Sequence, residues 1–468
     1  MYEDDRPFIV RILFSWRVIP LIILLLVLVP IIGFLAFQKV TDSAWRTAYD
    51  AIEVPDGVTF HTDLVAWRAG EPLDANARRA PYGIGLAEAD ERIGRWTSLR
   101  DRVQTQVMTD IRWDSAIDSL DVRFADLSRY ERNQIEGLVV DHQGILNEVR
   151  ELARLGGPVI LLDNRQGLAL ELPHLAWMRA MARILSVSAR ARFYRGDTAA
   201  GLEDITRIFE LADAIAPEYL LINQLVRIAV TGIAWHPVQF ELNPVSLSQA
   251  QLDNLFARLR ASSHRARFAE CYVGEVLTVY NTPGNFWEWD FGGNTDDLVA
   301  EESRKWLPLY KRFLGGPWRN MDKQLHCSLL VRTAEASQAV YYQAHPLLEE
   351  IIQDFGHAPA LRVMTRSIGE DLVRATKAQA RLDAQIGLTQ LGILVERYKS
   401  KHKSYPDSLD AIAGELGGEL PLDPYSGEPY RYLLESGFLY LYSVGDNLED
   451  DGGWHDYKQG DILWRGES

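Results

Sequence analysis

Tyr442-Ser443-Val444-Gly445-Asp446-Asn447-Leu448-Glu449-Asp450-Asp451-Gly452-Gly453-Trp454-His455-Asp456-Tyr457-Lys458-Gln459-Gly460-Asp461 carries an apolar strand into an acidic loop punctuated by glycine. From Gly445 to Asp461 there are five Asp, one Glu and one Asn. Gly445, Gly452, Gly453 and Gly460 supply backbone conformations that residues with a Cβ resist. A hard cation such as Ca²⁺ takes about 6 to 8 oxygen ligands from carboxylates, amide oxygens and backbone carbonyls, and a glycine-rich loop can fold such groups around one point. Carboxylates this close repel unless a cation or water lies between them. A solvated acidic turn is the alternative reading of the same composition. The spacing is not that of an EF-hand, whose liganding positions and closing Glu are absent.

Upstream, Leu388, Leu391, Ile393, Leu394, Val395 and Tyr398 form an apolar stripe at helical spacing. It ends in the basic run Lys399-Ser400-Lys401-His402-Lys403, which favours a helix C-terminus. Ser404-Tyr405-Pro406-Asp407-Ser408-Leu409 predicts a turn and a new helix cap, and Gly414, Gly417 and Gly418 close that short helix. Leu422-Asp423-Pro424-Tyr425-Ser426-Gly427-Glu428-Pro429 is a turn signal, after which Tyr430–Leu433 and Phe438–Tyr442 read as two strands of a hairpin.

The order of these elements resembles the soluble part of the type II secretion major pseudopilin: a long helix, a Tyr-Pro turn, a Pro-x-Asp-Pro segment, a short antiparallel sheet and a Tyr-Ser-x-Gly loop reaching Gly-Gly and Asp-Ile. Pro421-Leu422-Asp423-Pro424, Tyr442-Ser443-Val444-Gly445, Gly452-Gly453 and Asp461-Ile462 stand in that order, over roughly residues 385 to 464. The resemblance implies an α+β unit over residues 385–468 with structural Ca²⁺ in the loop. It puts the carbonyl of Val444 and the side chains of Asn447 and Asp456 among the ligands. This chain has one extra residue between Gly445 and Gly452, so Asp446 is an alternative to Asn447, and Asp450, Asp451 and Asp461 are further candidates. The N-terminus, Met1-Tyr2-Glu3-Asp4-Asp5-Arg6, lacks the basic leader and peptidase site of a prepilin, so a filament subunit is not expected.

Val18 to Phe37 is an unbroken apolar run. At about 1.5 Å per residue it is long enough for the roughly 30 Å hydrocarbon core of a bilayer, and predicts one transmembrane helix. Pro20 and Pro30 are tolerated in such a helix. Neither Gly33-Phe34-Leu35 nor Phe34-Leu35-Ala36 makes a small-x-small cleavage site, so an uncleaved single-pass anchor is expected. Arg6, Arg11 and Arg17 precede the run and Lys39 and Arg46 follow it, a slight bias that makes residues 1–17 a cytoplasmic tail. The expected setting is a bacterial inner membrane, with the C-terminal bulk extracytoplasmic in a periplasm where weak calcium sites fill.

Between anchor and C-terminal unit the signal is helical. Residues 38–90 read as a connector broken by Pro55, Gly57, Gly70, Pro72, Pro81, Gly83 and Gly85, and residues 91–384 as a helical domain. A helix beginning at Pro173 carries Leu175, Met178, Met181, Ala182, Leu185 and Ala189 as a stripe, with Arg179, Arg183 and Arg190 largely outside it. Gly196-Asp197 ends it. A second helix runs from Thr198 through Leu202, Ile205, Ile208, Phe209 and Leu211, and a third opens at Pro217. Ser248 with Gln251 predicts a capping box. Helix, Gly-Asp turn and returning helix resemble the hairpin of tetratricopeptide-like solenoids, without their 34-residue consensus. The region also resembles that of uncharacterised bacterial single-pass membrane proteins ending in the same pseudopilin-like unit, to which no activity is attached. The predicted fold is mainly α, with a helical-hairpin middle, a small C-terminal α+β unit, a short antiparallel sheet and a calcium loop.

The 468 residues suffice for two or three domains beyond an anchor, and the net charge of −16 argues against nucleic acid as a partner. The two cysteines, Cys271 and Cys327, can pair in an oxidising compartment, or be buried singly. His326 beside Cys327 lacks the second pair of a zinc site. Phe286-Trp287-Glu288-Trp289-Asp290-Phe291 can be read as a glycan-binding or glycan-cleaving loop through Trp287, Glu288, Trp289 and Asp290, or as aromatics that nail a loop to the body. No Gly-x-Ser-x-Gly elbow, phosphate loop or His-Glu-x-x-His helix occurs. His61, His142, His174, His236, His264 and His345 read as core or surface residues, and no catalytic residue is predicted. The expected role is a non-enzymatic interaction or scaffold protein with envelope-protein partners, linked to a secretion or pilus-like system.

Overall fold

The computed structural model describes residues 33–44, 84, 86–160, 170–275 and 315–464, apart from scattered positions within those ranges. The described chain is mainly helical, with a small three-stranded antiparallel sheet near the C-terminus. It divides into two compact units, one of Val54–Pro283, Leu330–Gln353 and Glu370–Ser468, the other of Met1–Glu53, Gly284–Leu329 and Asp354–Gly369.

The transmembrane, single-pass expectation is corrected: among the described residues no helix is long and apolar enough to cross a membrane. Of Val18 to Phe37, only residues 33–37 are described, and they are helical, as are residues 38–44. That stretch carries Gln38, Lys39 and Asp42. The rest of the apolar run, the tail 1–17 and residues 45–83 of the connector lie outside the described residues.

In the first unit, helix His174–Tyr194 packs along helix Thr198–Ala214, and both pack on helix Leu221–His236. The turn between the first pair has a cause in the sequence. Gly196 takes φ +81°, and the Asp197 carboxylate accepts the N–H of Ala200 at 3.1 Å as an N-cap. Gly201 lets the two helices close up, because a Cβ there would stand 2.4 Å from the Phe193 ring. Leu175, Met178, Met181, Ala182, Leu185 and Ala189 are all buried, as their spacing predicts. Arg190, expected off the apolar face, is buried as well. Its guanidinium donates to the carbonyls of Ser119 and Val122 and lies near Glu241, so the helix is enclosed on more sides than its stripe.

A second buried cation ties three helices together. Arg150, on helix Gln143–Leu155, donates from Nε to Asp204 at 2.6 Å and from a terminal nitrogen to Ser188 at 3.1 Å. Burial pushes the Asp204 carboxyl up, against the pull of Arg150 and Arg192. Breaking such a pair costs about 3–5 kcal/mol, because one charge is left buried alone.

The third helix begins at Leu221, not at Pro217. The residues between them are used otherwise: Glu218 turns inward onto His174, and the Leu221 N–H is capped by Glu275 at 2.8 Å. Ser248 and Gln251 form the predicted capping box on helix Gln249–Ala261.

The C-terminal unit is built on helix Thr376–His402, which packs on helices Leu221–His236 and Gln249–Ala261 as well as on the sheet. Strand β1 (Arg431–Glu435) pairs antiparallel with β2 (Phe438–Ser443), Arg431 opposite Tyr442. A further hairpin, β3 (His455–Asp456) and β4 (Gln459–Gly460), precedes β5 (Ile462–Leu463), which pairs with the other edge of β2. Two glycines of the long helix make this packing possible. A Cβ on Gly387 would lie 2.2 Å from the Tyr430 hydroxyl, and one on Gly392 would lie 2.2 Å from the Trp464 indole. The Tyr430 hydroxyl donates to the Ala384 carbonyl at 3.1 Å. The short helix after Ser408 is a 3-10 helix, Leu409–Leu416, closed by Gly417 at φ +91°.

Candidate metal-binding loop

The loop that follows β2 is organised by a residue of the turn before the sheet. Asp423 is 1 % exposed. Its Oδ1 accepts the N–H of Tyr425 at 3.0 Å and the hydroxyl of Ser443 at 2.8 Å, while Oδ2 accepts the N–H of Val444 at 3.0 Å. Its own backbone closes the 423–428 turn through Glu428 and Gly427. One carboxylate thus fixes the turn before β1 to the point where β2 becomes loop.

Gly445 sets the next step. It takes φ +70°, and a Cβ on it would stand 2.2 Å from the Gly460 carbonyl oxygen, so the two ends of the acidic loop meet backbone to backbone. Asp461 is fully buried beside this contact. Its carboxylate accepts the N–H of Gly453 at 2.7 Å and of Asp451 at 3.4 Å. Burial pushes its pKa up, the two N–H groups pull it down, and the charges of Asp450 and Asp451 push it up again.

Asp450 has different surroundings. Burial raises its pKa, but the Tyr442 hydroxyl at 2.9 Å, the Gly452 N–H at 3.1 Å and Arg431 Nε at 2.9 Å together outweigh that and hold it below the usual carboxylate range. Asn447 donates from Nδ2 to Asp451 at 2.8 Å and accepts the Glu449 N–H at 3.2 Å. Asp446 is half-buried, and its charge adds to burial in raising the Tyr425 phenol. The Val444 side chain is buried. The Asp456 side chain lies outside the described residues, as do Trp287, Glu288, Trp289 and Asp290.

In donor type this loop fits a hard cation: every candidate ligand is an oxygen, and the carboxylates of Asp446, Asp450, Asp451 and Asp461 lie within sixteen residues of one another, with Arg431 paired to Asp450. Among the described residues, however, no group of three or more Asp, Glu, His or Cys side chains is gathered around one metal-sized point. Internal donors take up the carboxylate oxygens instead. Sequence reasoning missed the Arg431 donor because Arg431 carries no loop signature and reaches Asp450 only from the strand paired with β2.

Other buried polar groups lie outside this loop. His174 Nε2 meets Glu218 at 2.8 Å, and Asn223 donates to the same oxygen, with the His174 Nδ1 and Glu218 Oε1 atoms left without partners. Burial pushes Glu218 up, against the pull of His174. Cys271 and Cys327 are buried, and burial pushes the Cys327 thiol up, away from the reactive thiolate.

Comparison of the chain with protein-family models, with curated proteins and with solved structures finds no match.

Proposed function

We propose that this chain is a non-enzymatic interaction scaffold whose C-terminal α+β unit takes a divalent cation, with calcium the ion that its oxygen donors favour. The observation that supports the ion most directly is the buried carboxylate of Asp461, whose pKa the neighbouring charges of Asp450 and Asp451 push up. The groups that would hold the ion are the Val444 carbonyl, Asp446 or Asn447, and Asp450, Asp451, Asp456 and Asp461. The ion would supply charge neutralisation and lock the loop; no chemistry is routed through it.

The scaffold reading is supported by the helical body, where successive helices pack on their neighbours in the manner of hairpin arrays that present extended binding surfaces. The resemblance to the major pseudopilin names the partner class: envelope proteins of a secretion or pilus-like system, in an extracytoplasmic compartment rich in calcium. Full-length chain is expected to melt at higher temperature in millimolar calcium than in chelator, with about 1.4 kcal/mol gained at tenfold excess over Kd. An unchanged melting temperature removes the ion. Crosslinking in the native cell that captures no envelope protein removes the scaffold role.

A further inference from the structure

A cleft of about 340 Å³ opens between helix Thr376–His402, the segment 421–424 and the chain after helix Gln249–Ala261. Asp383, Ile386, Gly387 and Gln390 line it from one face of the long helix, at the spacing that stacks side chains along a helix. Volumes of about 300–1,000 Å³ are those of small-ligand sites. The cleft also borders Asp423, whose carboxylate is taken up by Tyr425, Ser443 and Val444, and its proposed occupant does not rest on the calcium reading.

Two observations point to an occupant. The Gln390 side chain is a wall of the cleft, only 5 % of the residue is exposed, and its amide nitrogen has no hydrogen-bond partner. A buried amide left unpaired is costly, and half a turn about its last bond presents either its oxygen or its nitrogen to the cleft. At the mouth, Arg265 is committed to Asp383, Nε to Oδ2 at 2.7 Å, with Ser263 and Gln379 on the other oxygen. Arg260 lines the same cleft, and no hydrogen bond or ion pair holds its side chain among the described residues. The cleft therefore keeps one uncommitted cation and one uncommitted amide. Val340 and Ile386 add apolar lining, and Leu422 and Tyr342 line the cleft at 54 % and 38 % exposure.

We propose that this cleft binds a carboxylate joined to a small apolar group, the carboxylate on Arg260, the polar group next to it on the Gln390 amide, and the apolar group against Ile386 and Leu422. A peptide C-terminus and a free N-acyl amino acid share this chemistry. Calorimetric titration of the full chain with N-acetyl-leucine and with an N-acetylated tripeptide ending in leucine tests it, each against its C-terminal amide. Binding of either acid, weakened about tenfold or more by amidation and by Arg260→Ala and also weakened by Gln390→Leu, is the expected result. Tighter binding of the tripeptide assigns the source as a peptide end, and equal binding assigns the free acid. Arg260 is exposed, so its replacement leaves the fold intact and reads the site alone. No binding of either acid at millimolar concentration, or binding indifferent to amidation and to Arg260→Ala, overturns the proposal.

Discussion

Asp423 Oδ2 accepts the backbone N–H of Val444 at 3.0 Å, with both residues buried, and this bond joins the turn before the sheet to the start of the acidic loop. The same carboxylate serves the Ser443 hydroxyl and the Tyr425 N–H. Asp423→Ala leaves three buried donors without an acceptor, at about 1–3 kcal/mol each, so a loss of at least ~3 kcal/mol is expected in denaturant titration. Asp423→Asn is milder: its oxygen keeps two donors while its amide faces the Val444 N–H, donor against donor. A loss below ~0.5 kcal/mol for Asp423→Ala, the range of an ordinary surface substitution, contradicts this account.

Gly445 and Gly452 have nearly the same φ, +70° and +71°, but different space around them. A Cβ on Gly452 meets nothing within 4 Å, whereas one on Gly445 runs into the Gly460 carbonyl. Gly452→Ala is expected to cost about 1 kcal/mol, the left-handed backbone penalty alone. Gly445→Ala adds a collision with backbone that no rotamer relieves, and separates the loop ends. Chemical denaturation of the two variants side by side checks the ordering; equal costs would show that the 445–460 contact carries no weight.

His326 makes stability depend on pH. It is fully buried, both ring nitrogens lack partners, and burial pushes its pKa down from 6.5 to about 3. The unfolded chain binds a proton between those values and the folded chain does not. Stability from this residue is complete above pH 6.5 and is lost as the pH falls toward 3. From pH 6.5 to 5 the loss is about 2 kcal/mol, at roughly 1.36 kcal/mol per unit. His236 shifts in the same direction, through burial and then the charge of Arg190. In His326→Phe the ring contact with Phe355 survives and the titration does not. Melting curves at pH 7.5 and pH 5 should therefore converge more in the variant than in the parent chain; equal separation of the curves in both argues against a buried neutral His326.

The parts of this fold governed by local chemistry could be read from the sequence. Ser248 and Gln251 cap a helix, Gly196-Asp197 turns one, and the two runs around Tyr432 and Tyr440 pair as strands, because caps, turns and alternation act over a few residues. The burial of Arg190 and Arg150 was not legible, since their partners Ser119, Val122 and Asp204 lie about fifty or more residues away. Gly387 and Gly392 look like weak points in a helix, and only the arrival of Tyr430 and Trp464 explains them. The loop itself was half legible. Its glycines and acids announce the turn, but the cation that reaches Asp450 comes from the opposite strand.

That cation yields the sharpest test of the loop. Arg431 Nε reaches Asp450 at 2.9 Å, and both side chains are more than a third exposed, so the pair by itself is worth at most about 1 kcal/mol. Its wider effect is on the balance of charge, since Asp450 and Asp451 both act on Asp461. With Arg431→Met the loop loses the guanidinium bonded to it, while the apolar stem of the side chain is kept. If a divalent ion shares the same carboxylates, the variant should melt below the parent chain in chelator and recover in millimolar calcium, gaining more from the ion than the parent does. Sodium chloride at equal ionic strength separates screening from binding, because screening acts on any exposed charge and needs no site. A variant that regains as much in sodium chloride as in calcium would mean that the acids near the C-terminus are relieved by solvent ions, with no ion held in the loop.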